Sequence, residues 1–290
     1  MRPKRVAVYV CCILLALWSL APLYWMANLS FMYHPEAYHS PAHLYPYLPT
    51  FSNYLRALGF SAYNAITGEI QGTAGYPVRE GLINSAVTAL SVAVVTVLIA
   101  SPAGYVLARL RLPRKNYLLM GLVGTRTLPP ISIIVPFYVI GLSLGLIGTQ
   151  VGLIIMYMSI TLPLMTWVLM GFFASLPVET ERAARIDGCT RWQTLIKVVF
   201  PMSLSGITAV GLLTFLMMYN EFLFAWILVQ GTPAGTIQPI LASMWFMIGE
   251  LNIMAAANMT GLIIPIIVCI IFQRYIMQLK IVDPVSVVIQ

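Results

Sequence analysis

The sequence predicts an all-α, polytopic membrane protein with six transmembrane helices, and three observations predict it. Hydrophobic residues make up 60% of the 290 positions and charged residues only 9%, where an ordinary soluble domain carries about 25% charge. Mean hydropathy is +0.87 for a chain of 32.1 kDa, so there are too few charges to solvate its surface and most of that surface must face lipid. The apolar residues also gather into six stretches, each near the roughly 20 residues that a helix needs to cross a hydrocarbon core.

The first stretch is Val6–Ser30. Met1-Arg2-Pro3-Lys4-Arg5 ahead of it imitates a signal peptide, but the apolar run outlasts the h-region of about 7–15 residues and lacks an A-x-A cleavage site. It is expected to stay as a span. The second stretch, Leu82–Ala108, opens on Asn84-Ser85 and closes on Tyr105, Ala108 and Arg109. Leu118–Gly141 is the third, Val151–Ala174 the fourth, Leu204–Val229 the fifth and Ile253–Met277 the sixth. Pro102, Pro129, Pro130, Pro136, Pro163 and Pro265 fall inside these stretches. Prolines persist in lipid where neighbouring protein or a water-filled cavity satisfies the freed backbone groups, so both a solvated pathway and ordinary helix packing stay open. Gly141-Leu142-Ser143-Leu144-Gly145 has the G-x-x-x-G spacing, but beside Gly148 at a span's end it predicts a turn rather than a dimer face.

Three connections matter. Residues 33–79 form the longest polar stretch, rich in Pro, His, Tyr and Ser, in which His34, His39 and His43 flank prolines as a solvated loop would. Gln230–Leu251 is semi-polar and amphipathic, and Ser175–Phe200 is charged. The bases orient the chain. Arg2, Lys4, Arg5, Arg109, Arg111, Arg114, Lys115, Arg182, Arg185, Arg191, Lys197, Arg274 and Lys280 fall on one side, 13 of the 16, whereas Arg56 and Arg79 fall on the other and Arg126 lies within a span. The positive-inside rule then puts both termini and residues 175–201 in the cytoplasm, and residues 33–79 and 230–251 outside. A formal charge of +7 suggests nucleic acid in a soluble protein, but bases placed beside spans report orientation and no nucleic acid partner. Cys11, Cys12, Cys189 and Cys269 lack C-x-x-C spacing and read as small apolar fillers.

The cytoplasmic stretch is the most informative. Ser175-Leu176-Pro177-Val178-Glu179 onward predicts two short helices joined by a sharp corner. Pro177 suits a helix's first turn, where a missing N–H costs nothing. Glu179 and Glu181 complement the positive helix end. Ala183, Ala184 and Asp187 give a small-residue face that a partner's backbone can approach. Gly188 suits a left-handed cap, and Thr190 caps the next helix, which runs up to Pro201.

This segment resembles the EAA loop of ABC-importer permeases, approximately E-A-A-x-x-D-G, then about nine residues, then I-x-L-P. Ala183, Ala184, Asp187, Gly188, Val198, Phe200 and Pro201 fall in matching positions. Arg182 stands at the Glu position of the motif, with Glu181 adjacent, and Cys189 replaces a usual Ala. Asn84-Ser85, the Tyr105 to Leu110 segment and Asn220-Glu221-Phe222-Leu223 are similar to the smaller permease of maltose-type carbohydrate importers. The tail Ile281–Gln290 departs from the Gly-rich basic end often found there.

The resemblance implies a type I importer-permease fold, with residues 1–290 as one permease domain in a prokaryotic cytoplasmic membrane. It implies a second permease subunit in a heterodimer, two ATP-binding subunits and an external solute-binding protein or lipoprotein, all set in membrane lipid. Glu179, Glu181, Arg182, Ala183, Ala184, Asp187 and Gly188 would dock the ATPase. The chain lacks G-x-x-x-x-G-K-[ST] and so cannot cradle ATP by that route; the resemblance implies that no cofactor is bound by this chain, that ATP and Mg belong to the partner ATPase, and that the chain is not itself an enzyme. Family subgroups carry sugars, oligosaccharides, polyols and glycerol phosphates.

Two charges interrupt apolar spans, Glu221 and Arg126. An ionised group at a helix centre costs about 2.5–3.5 kcal/mol on insertion scales, so each must face water, protein or the other. Tyr219, Asn220, Glu221, Phe222 and Arg126 are the candidate substrate path. A structural polar clamp is the competing role for the pair, and core or lipid packing for Tyr219, Phe222 and Trp226, which share one side of a continuous helix. The alternative function is an ion-gradient-driven secondary transporter. That class usually shows paired repeats with interrupted helices, and it leaves the EAA-like loop unexplained.

Overall fold

A computed structural model describes residues 3–125, 127–247 and 249–277. Arg126, Lys280 and the Ile281–Gln290 tail lie outside the described residues. In chain order the elements are helices α1 (Pro3–Phe31), α2 (His34–Ala37) and α3 (Ser52–Ala57), then the antiparallel hairpin β1 (Ala62–Asn64) and β2 (Glu69–Gln71). There follow α4 (Val78–Arg109), α5 (Lys115–Gly124), α6 (Pro130–Ser143) and α7 (Gln150–Ala174). Next come α8 (Val178–Ile186), α9 (Arg191–Thr194), a π-turn at Leu195–Val199, and α10 (Phe200–Met202). The chain continues through α11 (Leu204–Tyr219), α12 (Leu223–Val229), α13 (Ile237–Met247) and α14 (Leu251–Met277).

Among the described residues four helices are long and apolar enough to cross a bilayer: α1, α4, α7 and α14. They coincide with the first, second, fourth and sixth stretches expected from the sequence. The segment Arg191–Met202 with α11 makes a fifth if the pair counts as one span, although it is bent by 77°. The remaining two expected spans are interrupted. The third is split into α5 and α6, because Pro129 takes an extended conformation (φ −65°, ψ 134°) and Pro130 starts a new helix, the position where proline loses no hydrogen bond. The fifth is split at residues 220–222 between α11 and α12. Pro102, Pro136, Pro163 and Pro265 lie inside unbroken helices.

The described residues form two compact units, 3–82 with 239–264 and 83–238 with 265–277. In the first, the stretch 33–79 is folded rather than loose. Asn53 is 2% exposed and donates to the Ser30 and Met32 carbonyls at 2.9 and 2.7 Å, satisfying groups that the end of α1 leaves open. Asn252 donates to Asn53 Oδ1 at 2.9 Å. Arg56 donates to Glu250 at 3.0 Å and to the Gly72 carbonyl at 3.0 Å, and Tyr38 donates to the Gly249 carbonyl. His43 lies 3.4 Å from Glu36 and stacks near Tyr47.

In the second unit α4 and α7 approach closely. A Cβ at Gly104 would lie 3.0 Å from the Met170 backbone nitrogen, and the Thr96 and Thr161 hydroxyls bond at 2.9 Å. Gly145 and Gly148 have φ of +67° and +77°, which makes the G-x-x-x-G segment the turn that its position predicts. The same five residues satisfy G-x-S-x-G. A nucleophile elbow needs a strand-to-helix turn, whereas Ser143 ends a helix and donates to the Ile140 carbonyl at 2.8 Å.

Candidate functional site

Two constructions in the second unit carry the residues singled out by the sequence. The first is the corner between α7 and α11. Pro177 is extended (φ −60°, ψ 123°) and sits just before α8 rather than in its first turn; Glu179 and Glu181 occupy that turn. Gly188 has φ +89°, and the Cys189 N–H donates to the Ala184 carbonyl at 3.0 Å, closing α8 with a left-handed residue. Thr190 and Gln193 then form a reciprocal capping box: Gln193 N–H reaches the Thr190 hydroxyl at 3.3 Å, and Thr190 N–H reaches Gln193 Oε1 at 2.8 Å. The expected second helix follows to Met202, with its middle wound as a π-turn.

This corner is anchored on one side and open on the other. Leu195 and Val199 are buried with Ala100, Tyr105, Leu169 and Phe173 of α4 and α7. On α8, Glu179, Arg182, Ala183 and Ile186 recur at i, i+3, i+4 and i+7, one stripe of a helix, and are exposed. Asp187 and Gly188 are exposed as well. Glu181 and Ala184, three apart, take the opposite stripe and are each 8% exposed. The two alanines that the motif groups together therefore face different ways.

Glu181 is the residue whose setting the sequence does not foretell. Its carboxylate accepts from Arg109 Nε at 2.7 Å and from the Tyr105 hydroxyl at 3.0 Å. Arg109 also donates to the Leu176 carbonyl at 2.7 Å. With side chains 11% exposed on both partners, this is a charge-assisted pair largely withdrawn from water. It ties the end of α4 to the start of α8. Tyr105 and Arg109, four apart at the end of a span, share a helix face; that spacing is the signal that would have marked them.

The second construction is the break in the fifth span. α11 ends at Tyr219, and α12 begins after Phe222. Glu221 accepts from the Phe224 and Ala225 backbone N–H groups at 3.0 and 3.2 Å and from the Tyr157 hydroxyl at 2.7 Å. Its carboxylate thus serves the unpaired donors and positive end of α12. Asn220 is exposed; its amide donates to the Leu216 carbonyl at 2.8 Å, and its oxygen accepts from Gln238 at 3.4 Å. The break also corrects the expected aromatic stripe. Tyr219 is 1% exposed and stacks on Phe215, whereas Phe222, 42% exposed, pairs with Trp226 at 5.3 Å. A continuous helix would have aligned the three, and residues 220–222 are not helical. Arg126, grouped with this site by the sequence, lies outside the described residues.

Residues 100–281 match the family described as binding-protein-dependent transport system inner membrane component. The chain is 31% identical to the sulfoquinovosyl glycerol transport system permease protein of Agrobacterium fabrum over 264 residues, 90% of this chain and 86% of that one. It is 30% identical to the trehalose/maltose transport system permease protein of Thermococcus litoralis over 277 residues, 95% and 94% of the two chains. A chain from the crystal structure of a bacterial ABC transporter that imports the acidic polysaccharide alginate superposes with a TM-score of 0.72 at 20% identity. That superposition covers 95% of this chain and 98% of the other.

Proposed function

The chain belongs to the family of binding-protein-dependent transport system inner membrane components, and from that premise we propose that it is one permease subunit of an ATP-driven importer, moving a carbohydrate or related polar solute by alternating access. Sugars, oligosaccharides, polyols and glycerol phosphates are the solute classes in view. The observation that carries this reading is the corner at residues 178–202. One side of it is locked into α4 and α7 through Glu181, Leu195 and Val199, and its other side is exposed. A piece so placed can pass a push from a cytoplasmic partner into spanning helices, because packed elements move as bodies rather than deform.

The partners in this reading are a second permease, two ATP-binding subunits that hold ATP and Mg, and an external binding protein. The termini and residue 185 are cytoplasmic, and residue 45 is external. Glu179, Arg182, Ala183, Asp187 and Gly188 face the ATPase, while Glu181 and Ala184 seat the docking helix. In the path, exposed Asn220 and Phe222 meet the solute, and Glu221 and Tyr219 hold the break behind them. Arg126 belongs to the same path.

Uptake of radiolabelled trehalose, maltose and glycerol phosphate by cells overproducing the whole transporter tests the reading. Uptake of one of them should stop when ATP is depleted with the ion gradient held. Uptake that follows the gradient instead would make the chain a secondary transporter.

A further inference from the structure

Resting on the docking role proposed above, we infer that the ATPase surface receiving this corner is acidic around an apolar hole, so that charge at Arg182 selects the partner. Three observations meet here. Glu181, the acid beside Arg182, is unavailable to a partner, because Arg109 and Tyr105 take up its carboxylate inside the chain. Arg182 lies on the open stripe of α8, and Arg185, Arg191 and Lys197 are exposed elsewhere on the corner, as are Glu179 and Asp187. Among the described residues none of those four cations is in an ion pair, which leaves their charge for a partner.

The apolar part is equally exposed. Ile186 is 86% exposed, Trp192 61% and Ile196 45%. Ile186 stands one turn beyond Arg182 on the same stripe. Isolated exposed apolar side chains are common, but an exposed isoleucine and tryptophan on a corner that also exposes four unpaired cations fit an interface with an apolar centre and a charged rim. An apolar anchor supplies most of the affinity, whereas complementary rim charges set the encounter rate and reject wrong partners. An ATPase presenting bases opposite Arg182 would be repelled; one presenting Asp or Glu would be drawn in.

The probe is the ATPase subunit that co-purifies with the full-length permease from its native membrane, stripped off and titrated back onto the permease complex in nanodiscs. Arg182→Glu should weaken binding about tenfold at low salt, Arg182→Lys should bind as wild type does, and added salt should shrink the Arg182→Glu effect. The neutral change Ile186→Asn should weaken binding at every salt concentration. Full-strength binding by Arg182→Glu, with Ile186→Asn impaired, would overturn the charge selection and leave docking standing. Full-strength binding by both variants would remove the docking role itself.

Discussion

Arg109 and Glu181 are separated by 72 residues in the chain and by 2.7 Å in space. Their contact joins a span's end to the first turn of α8, and it links the exposed corner directly to a spanning helix. An ion pair held mostly out of water is costly to break on one side only, since the remaining charge is stranded. Arg109→Gln should therefore destabilise the purified permease complex by about 3 kcal/mol and abolish solute-stimulated ATP hydrolysis by the reconstituted transporter. Adding Glu181→Gln should restore part of the stability. A melting temperature unmoved by Arg109→Gln would show that the pair does not hold α8.

Gly188 tests the corner's shape. A Cβ placed there meets nothing within 4 Å, so any cost of substitution comes from the backbone at φ +89°. Gly188→Val should cost about 1–3 kcal/mol and uncouple the assembly while the permease remains in the membrane. Gly188→Asn, whose side chain tolerates left-handed backbone, should keep most of the stimulation. Undiminished ATP hydrolysis and uptake in the valine variant would remove this corner from force transmission.

The break at 220–222 separates two roles for Glu221. Glu221→Ala removes the acceptor for two N–H groups and should cost about 1–2 kcal/mol, as a lost cap does, seen as a lower melting temperature. Glu221→Gln retains an acceptor and removes the charge. It should leave assembly intact and shift transport affinity if the carboxylate lies on the solute's path. Lost assembly in Glu221→Gln, partly recovered by Arg126→Gln, would identify an ion pair between those two residues instead. Unchanged kinetics with intact assembly would exclude the charge from both roles.

Cysteine labelling checks the orientation that the bases imply. In a background without native thiols, a cysteine introduced at position 45 should react with an impermeant maleimide in intact cells. A cysteine at position 185 should react only after permeabilisation. Labelling of position 185 from outside would reverse the topology.

Part of this architecture is legible in the sequence. The four unbroken spans rest on hydropathy summed over some 20 residues, a local property that long-range packing does not alter. The corner at Gly188 and Thr190 was legible for a similar reason: a left-handed glycine and a capping box act within five residues of themselves. Even the split third span had its mark in Pro129-Pro130, although proline alone cannot say whether a helix will stop or continue, as Pro102, Pro163 and Pro265 illustrate by lying inside unbroken helices.

What only the tertiary structure decided is where the polar groups point. Glu179, Glu181 and Glu221 are the same residue type in sequence. Glu179 lies in the open, Glu181 is drawn inward by an arginine 72 positions earlier, and Glu221 meets a tyrosine 64 positions earlier while it caps α12. A carboxylate in or beside a membrane must be satisfied somewhere. Arg109 and Tyr105 for Glu181, and Tyr157 for Glu221, are brought to them by helix packing, and that information is spread over distant parts of the chain.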